Sequence, residues 1–152
     1  MKKILLVLFV LPLVFACSSD DKKELDKALV GTWGDTVHST EVDVTPTELS
    51  DKVSEWILSD TDPLIFEFKA SGDLIYTNMT DKQSYNYKVW TEGGILFIAK
   101  NGKTLSQVQY SVKGDTFVMK EDMRREIIED IEDMGENIKV NRAVLVTTMK
   151  KK

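Results

Sequence analysis

Residues 63–119 read PLIFEFKASGDLIYTNMTDKQSYNYKVWTEGGILFIAKNGKTLSQVQYSVKGDTFVM, and the period of this stretch decides the fold. Leu64, Phe66 and Phe68 alternate with Ile65, Glu67 and Lys69, a period of two that predicts a strand with one face turned inward. Ala70-Ser71-Gly72-Asp73 supplies a turn into Leu74–Thr77, and Asp81-Lys82 supplies the next. Tyr85, Tyr87 and Val89 then alternate with Asn86, Lys88 and Trp90. Glu92-Gly93-Gly94 leads into Ile95–Ala99, and Asn101-Gly102 between two strand-like runs is a strong hairpin signal. Val108, Tyr110 and Val112 share a face, Lys113-Gly114-Asp115 turns, and Thr116–Met119 forms another short strand. A ladder of consecutive hairpins is therefore expected, which fits a barrel, a sandwich or a strongly curved open sheet equally well.

Upstream, Gly31-Thr32-Trp33 opens a first strand that runs through Val37 towards Val44. Thr45-Pro46-Thr47-Glu48 has the pattern of a capping box, with Thr45 as cap and Pro46 in the first helical position. Leu49, Val53, Trp56 and Ile57 follow as one apolar stripe of a helix that ends before Pro63. Downstream, Met123, Ile127, Ile131 and Met134 predict a second amphipathic helix over 121–134, stopped by Gly135. Lys139–Met149 is expected to be a last strand with Val140, Val144 and Val146 on one side, and Lys150–Lys152 a frayed end.

The order of these blocks resembles the lipocalin-like domains of Bacteroidetes-type lipoproteins. The resemblance is carried by Gly31-Thr32-Trp33, Phe66–Asp73, Tyr85–Val89 and Tyr110–Asp115, and covers roughly residues 30–120. It implies a mainly β, antiparallel lipocalin-like (calycin) barrel of about eight strands, here with two flanking amphipathic helices. In such barrels the tryptophan ring closes one end, and the glycine lets the backbone approach closely, the roles this resemblance gives to Trp33 and Gly31.

The beginning of the chain is of a different kind. Lys2 and Lys3 precede the apolar run Ile4–Phe15, which has the layout of an export signal and is shorter than the ~20 residues a spanning helix requires. Val14-Phe15-Ala16-Cys17 resembles a bacterial lipobox, apart from the bulk of Phe15. That resemblance implies diacylglyceryl transfer to the Cys17 sulfur, cleavage after Ala16, and acylation of the new amino group. Two or more acyl chains such as palmitate anchor a protein stably to a membrane. The domain boundaries expected are a signal peptide over 1–16, a lipidated Cys17 and flexible tether over 17–28, and the barrel over 29–152. Ser18, Ser19, Asp20 and Asp21 resemble the acidic stretch that directs such lipoproteins to the outside of the outer membrane, although a polar spacer explains them equally simply. The expected location is the outer membrane, on its periplasmic or cell-surface face.

Composition limits the function classes. Loss of residues 1–16 leaves 136 residues, one ordinary domain, and lowers the basic count from 20 to 18 against 25 acidic residues. A net charge of about −7 disfavours nucleic acid, whose phosphates need a basic face. Cys17 is the only cysteine, so once acylated it leaves no thiol for a disulfide, a metal or a nucleophile. His38 is the only histidine, and a partly exposed strand residue is its ordinary reading. Asp60 and Asp62 lack the spaced ligands of a calcium loop. Glu126 with Asp130 and Glu129 with Asp133 read as a solvated acidic helix face. Neither catalysis nor a cofactor is expected.

Two classes remain. One is a binding module for a small apolar or amphipathic ligand, with Tyr85, Tyr87 and Tyr110 beside the cavity, because a tyrosine offers apolar area and an orienting hydroxyl. The other is an interaction protein with a solid barrel, whose outer surface meets a protein or glycan.

Overall fold

The computed structural model describes residues 23–134 and 138–152. Met1–Ala16, Cys17, the Ser18–Asp21 stretch and Gly135 lie outside the described residues. Eight antiparallel strands close into a barrel in simple sequential order, with β8 returning to pair with β1. They are β1 (Gly31–Thr45), β2 (Leu64–Phe68), β3 (Asp73–Asn78), β4 (Ser84–Glu92), β5 (Ile95–Lys100), β6 (Lys103–Lys113), β7 (Thr116–Asp122) and β8 (Lys139–Lys151). Helix α1 (Ser50–Ser59) lies between β1 and β2, and α2 (Arg124–Met134) between β7 and β8. The lipocalin-like barrel with two helices is thus the observed architecture. No helix among the described residues is long and apolar enough to cross a membrane.

Closure depends on an irregularity in β1. Gly31–Trp33 pairs with Phe66–Phe68 of β2, but the register against β8 shifts between Gly34 and Val37, where Asp35 has φ 50°. A bulge of this kind bends a strand and reverses which side chains face inward. Beyond it β1 leaves β2 and runs with β8 as far as Thr45↔Lys139. The hydroxyl of Thr36 bridges the parting strands, donating to the Leu64 carbonyl at 2.7 Å and accepting from the Leu64 amide at 3.0 Å. A side chain here supplies the bonds that the backbone ladder no longer makes.

Two cores result. The first fills the Trp33 end of the barrel, where Trp33, Phe66, Phe68 and Phe117 are buried with ring centroids 5.7–6.4 Å apart. Edge-to-face pairs such as Phe68–Phe117, at 81°, add to the burial of area. Leu29, buried at the end of a 3-10 turn (Lys27–Leu29), plugs this end from below. Glu24 and Asp26, within the stretch read as a tether, bond to the barrel: the Thr91 amide donates to the Glu24 carbonyl and the Asp26 amide to Thr91 Oγ1. The second core packs Val53 and Ile57 of α1 and Ile127 and Ile131 of α2 against Val44 and Ala143, on the far halves of β1 and β8. The ring of strands is complete within 31–151 and both cores within 25–149, so residues 23–152 contain a closed barrel without a sheet edge to complete.

Four details depart from expectation. Thr45 is the last residue of β1, and α1 is entered through a 3-10 turn (Thr47–Leu49) with no side-chain cap at Pro46 or Leu49, because ladder pairing holds Thr45 in the sheet. Glu121 and Asp122 continue β7 opposite Leu145 and Val144, and the Asp122 carboxylate accepts the Arg124 amide at 3.1 Å to start α2 one turn later. Lys150 and Lys151 belong to β8, fixed by pairing with Gly34 and Trp33, and the Lys152 amide donates to the Thr32 carbonyl. In β8 Val144 and Val146 share a face, opposite in parity to the buried Ala143, Thr147 and Met149, but Val140, beyond the register shift between Asp43 and Val44, packs against the second core instead.

Candidate functional site

The half of the barrel that the aromatic core leaves free holds a cavity of about 390 Å³. Its floor and walls are apolar, with Phe66, Leu74, Val108 and Met119 below and Tyr76, Tyr87 and Ile98 beside. Tyr76 and Tyr87 meet edge to face, centroids 6.3 Å apart at 88°, and Tyr76 also leans on Phe66 at 5.5 Å. Burial, then the neighbouring Tyr87, pushes the Tyr76 phenol above its ordinary value.

A polar side faces this apolar one. His38 enters because the β1 bulge inverts the alternation; Val37, next to it, is 63% exposed. The ring nitrogen Nε2 lies 3.0 Å from the Asp62 carbonyl oxygen, and Nδ1 lies 3.1 Å from Thr147 Oγ1. A carbonyl only accepts, so Nε2 carries the proton and, in the neutral ring, Nδ1 accepts from the Thr147 hydroxyl. Thr147 is the fully buried polar residue of the barrel wall, and this bond satisfies it.

The same histidine ties down the segment Asp60–Asp62, which links α1 to β2 and lines the cavity. The Asp62 carboxylate accepts from Thr80 Oγ1 at 2.6 Å and Asn78 Nδ2 at 2.7 Å. Those two bonds, Thr80 first, hold its carboxyl below the ordinary carboxylate range. One side of the mouth is therefore a hydrogen-bonded strap from α1 to β2 and the β3–β4 turn.

Glu121, on β7, is a further polar group of the lining. It follows Phe117 and Met119 on the inward parity of β7 and lines the cavity. Its Oε1 receives the Ser106 hydroxyl at 3.4 Å. Burial pushes the carboxyl above its ordinary value, against the Ser106 bond, and the nearby Glu126 charge adds to the rise.

The three tyrosines are separated. Tyr87 lines the cavity; Tyr85 stands at the rim, its hydroxyl donating to Gln83 Oε1 at 2.7 Å and its ring 5.9 Å from Tyr76. The Lys100 ammonium lies 5.6 Å from the Tyr87 ring centre and 6.0 Å from that of Tyr85. Tyr110 belongs to the filled end, where its hydroxyl donates to Asp26 Oδ2 at 2.9 Å. Gly31, at φ 133°, and Trp33 also lie at that end; a Cβ on Gly31 would come within 3.0 Å of the Lys151 side chain.

Sequence reasoning missed Glu121 and set His38 aside. The signal for Glu121 was present, since the alternation of Phe117 and Met119 carries on to residue 121. On α2, Glu126 and Glu129 are exposed beside Arg125, at 3.5 and 3.7 Å. Among the described residues, no group of three or more His, Cys, Asp or Glu side chains is arranged to hold a metal ion. Comparison of the chain with protein-family models, with curated proteins and with solved structures found no match.

Proposed function

We propose that this protein is a membrane-anchored lipoprotein whose barrel binds a small apolar or amphipathic molecule and is not an enzyme. The observation that carries the reading is the half-filled barrel: an aromatic plug at one end and, above it, about 390 Å³ lined by apolar side chains and a few convergent polar groups. Small-molecule sites have this character and fall between about 300 and 1,000 Å³. The size favours a single short-chain or one-to-two-ring ligand over a whole phospholipid.

The anchoring half of the proposal comes from the resemblance of Val14–Cys17 to a lipobox, with the outer membrane as destination. It gives the barrel an orientation. The chain reaches the barrel at the filled end, through Glu24, Asp26 and Leu29. Lipid on Cys17, only a few residues earlier, then holds that end towards the bilayer and turns the mouth away, where a ligand can enter from the aqueous side.

Native mass spectrometry of residues 23–152 mixed with bacterial lipid extract tests the binding function. The reading predicts retained adducts of low mass, lost in a Val108→Trp variant that fills the floor. A clean apo mass in the folded wild type contradicts it and leaves a protein or glycan partner of the outer surface as the better account.

A further inference from the structure

Resting on the cavity as a ligand site, we infer that its preferred occupant is a small cationic amphiphile, an alkyl or arylalkyl amine, with its ammonium at Glu121 and its apolar body on Leu74, Val108 and Met119. The lining decides the sign of the head group. Its ionisable side chains besides the tyrosines are Asp60, Asp62, Glu121 and His38, and among the described residues no Lys or Arg lines it. A fatty-acid carboxylate would meet like charges with no Lys or Arg in the lining beside it to neutralise it, a cost that grows as water is excluded.

Glu121 rather than Asp62 is the group left to act. Both Asp62 oxygens are taken, by Thr80 and Asn78. Among the described residues Glu121 has one hydrogen-bond partner, the Ser106 hydroxyl, at the long distance of 3.4 Å. The carboxyl is therefore poorly solvated and poorly partnered while it faces a volume able to hold a donor. An ammonium there supplies both a charge and two or three N–H donors, and it offsets the burial that disfavours the ionised acid.

The aromatic wall points the same way. Tyr76 and Tyr87 line the same cavity as Glu121 and meet edge to face, and one ammonium, that of Lys100, already lies over the Tyr87 and Tyr85 rings. Ring faces attract cations, more strongly where water is excluded.

The test compares decylamine, decanol and decanoate, which share a chain and differ in head group, by calorimetric titration into residues 23–152 at neutral pH, below micelle formation. Decylamine is expected to bind at least about tenfold tighter than decanol, with decanoate weakest. In Glu121→Gln, and in Glu121→Leu should the amide fail to fold, decylamine is expected to fall to the level of decanol while decanol binding persists. Equal affinities for the three heads, or an amine preference that survives both substitutions, overturns the inference and leaves the cavity as a site for apolar chains. Binding of none of the three overturns the proposed function as well.

Discussion

The indole Nε1 of Trp33 donates to the Leu29 carbonyl oxygen at 2.7 Å, and both residues are fully buried. This bond joins the first strand to the turn beneath it and closes one end of the barrel. Trp33→Phe keeps most of the apolar contact with Phe117 but leaves the buried carbonyl without its donor. Such an orphaned group costs about 1–3 kcal/mol. Chemical denaturation of residues 23–152 should show that loss in the midpoint with an unchanged slope. A loss of a few tenths of a kcal/mol or less would mean that the closed end is held by packing alone.

His38 is predicted to govern the strap at the mouth. Replacing it by Ala removes the bond to the Asp62 carbonyl and leaves the buried Thr147 hydroxyl short of an acceptor. Hydrogen exchange is expected to quicken selectively over residues 60–62, with β3–β6 unchanged, because the strap loses its tie to β1 there while Leu64 keeps its bonds to Thr36. Uniform acceleration across the barrel, or none at the strap, argues against that role.

Glu121 should leave a signature in the pH dependence of stability. Its carboxyl titrates above the ordinary 4.5 in the folded protein, so the folded state holds the proton more tightly than the unfolded chain. Stability from this group is therefore lost as pH rises from about 4.5 through the folded value, the reverse of the usual salt-bridged carboxylate. Asp62, Asp73, Asp115, Asp122 and Glu41 are shifted downward and contribute with the opposite sign. The wild type therefore serves as reference for Glu121→Gln. The variant should gain in melting temperature relative to wild type between about pH 4 and about pH 8. A difference that stays flat or shrinks would place the carboxyl in water.

The anchor is tested by Cys17→Ser in the full chain expressed in a bacterium with lipoprotein processing. The variant should lose metabolic labelling with palmitate and leave the membrane fraction, since no other acylation site is proposed. Unchanged labelling and fractionation contradict the lipobox reading.

How far the sequence announces this molecule is clear from particular residues. Alternation over Leu64–Phe68 and Tyr85–Val89, with glycine turns such as Gly72 at φ 76°, is visible because each side chain reports its own face. Gly72 also allows close approach, since a Cβ there would meet the Val89 carbonyl at 3.0 Å. The bulge at Asp35 is not visible, and it alone moves His38 from the outside to the cavity. Continuing the Trp33 alternation without it places Val37 inward, yet Val37 is 63% exposed. Glu121 was hidden differently. Its neighbours Met123 and Ile127 carry a helical period that obscures the end of the strand period, and only pairing with Leu145 reveals which of the two it follows. Tyr110 and Tyr87 both fall on the inward face of their strands, opposite Met119 and Leu74, but one sits at the filled end and the other in the cavity, because height along a barrel depends on register rather than on sequence spacing.

The central claim is that the upper half of the barrel admits a guest, and methyl NMR of the methionines reads it most directly. Met119 lines the cavity floor, whereas Met149 is buried in the aromatic plug and Met123 packs with the helices. On titration with decanol, a neutral probe for the apolar floor, the Met119 methyl signal should shift and saturate while those of Met149 and Met123 stay in place. A Met119 signal that does not move at saturating probe, or methionines that all shift together without saturation, would contradict the account.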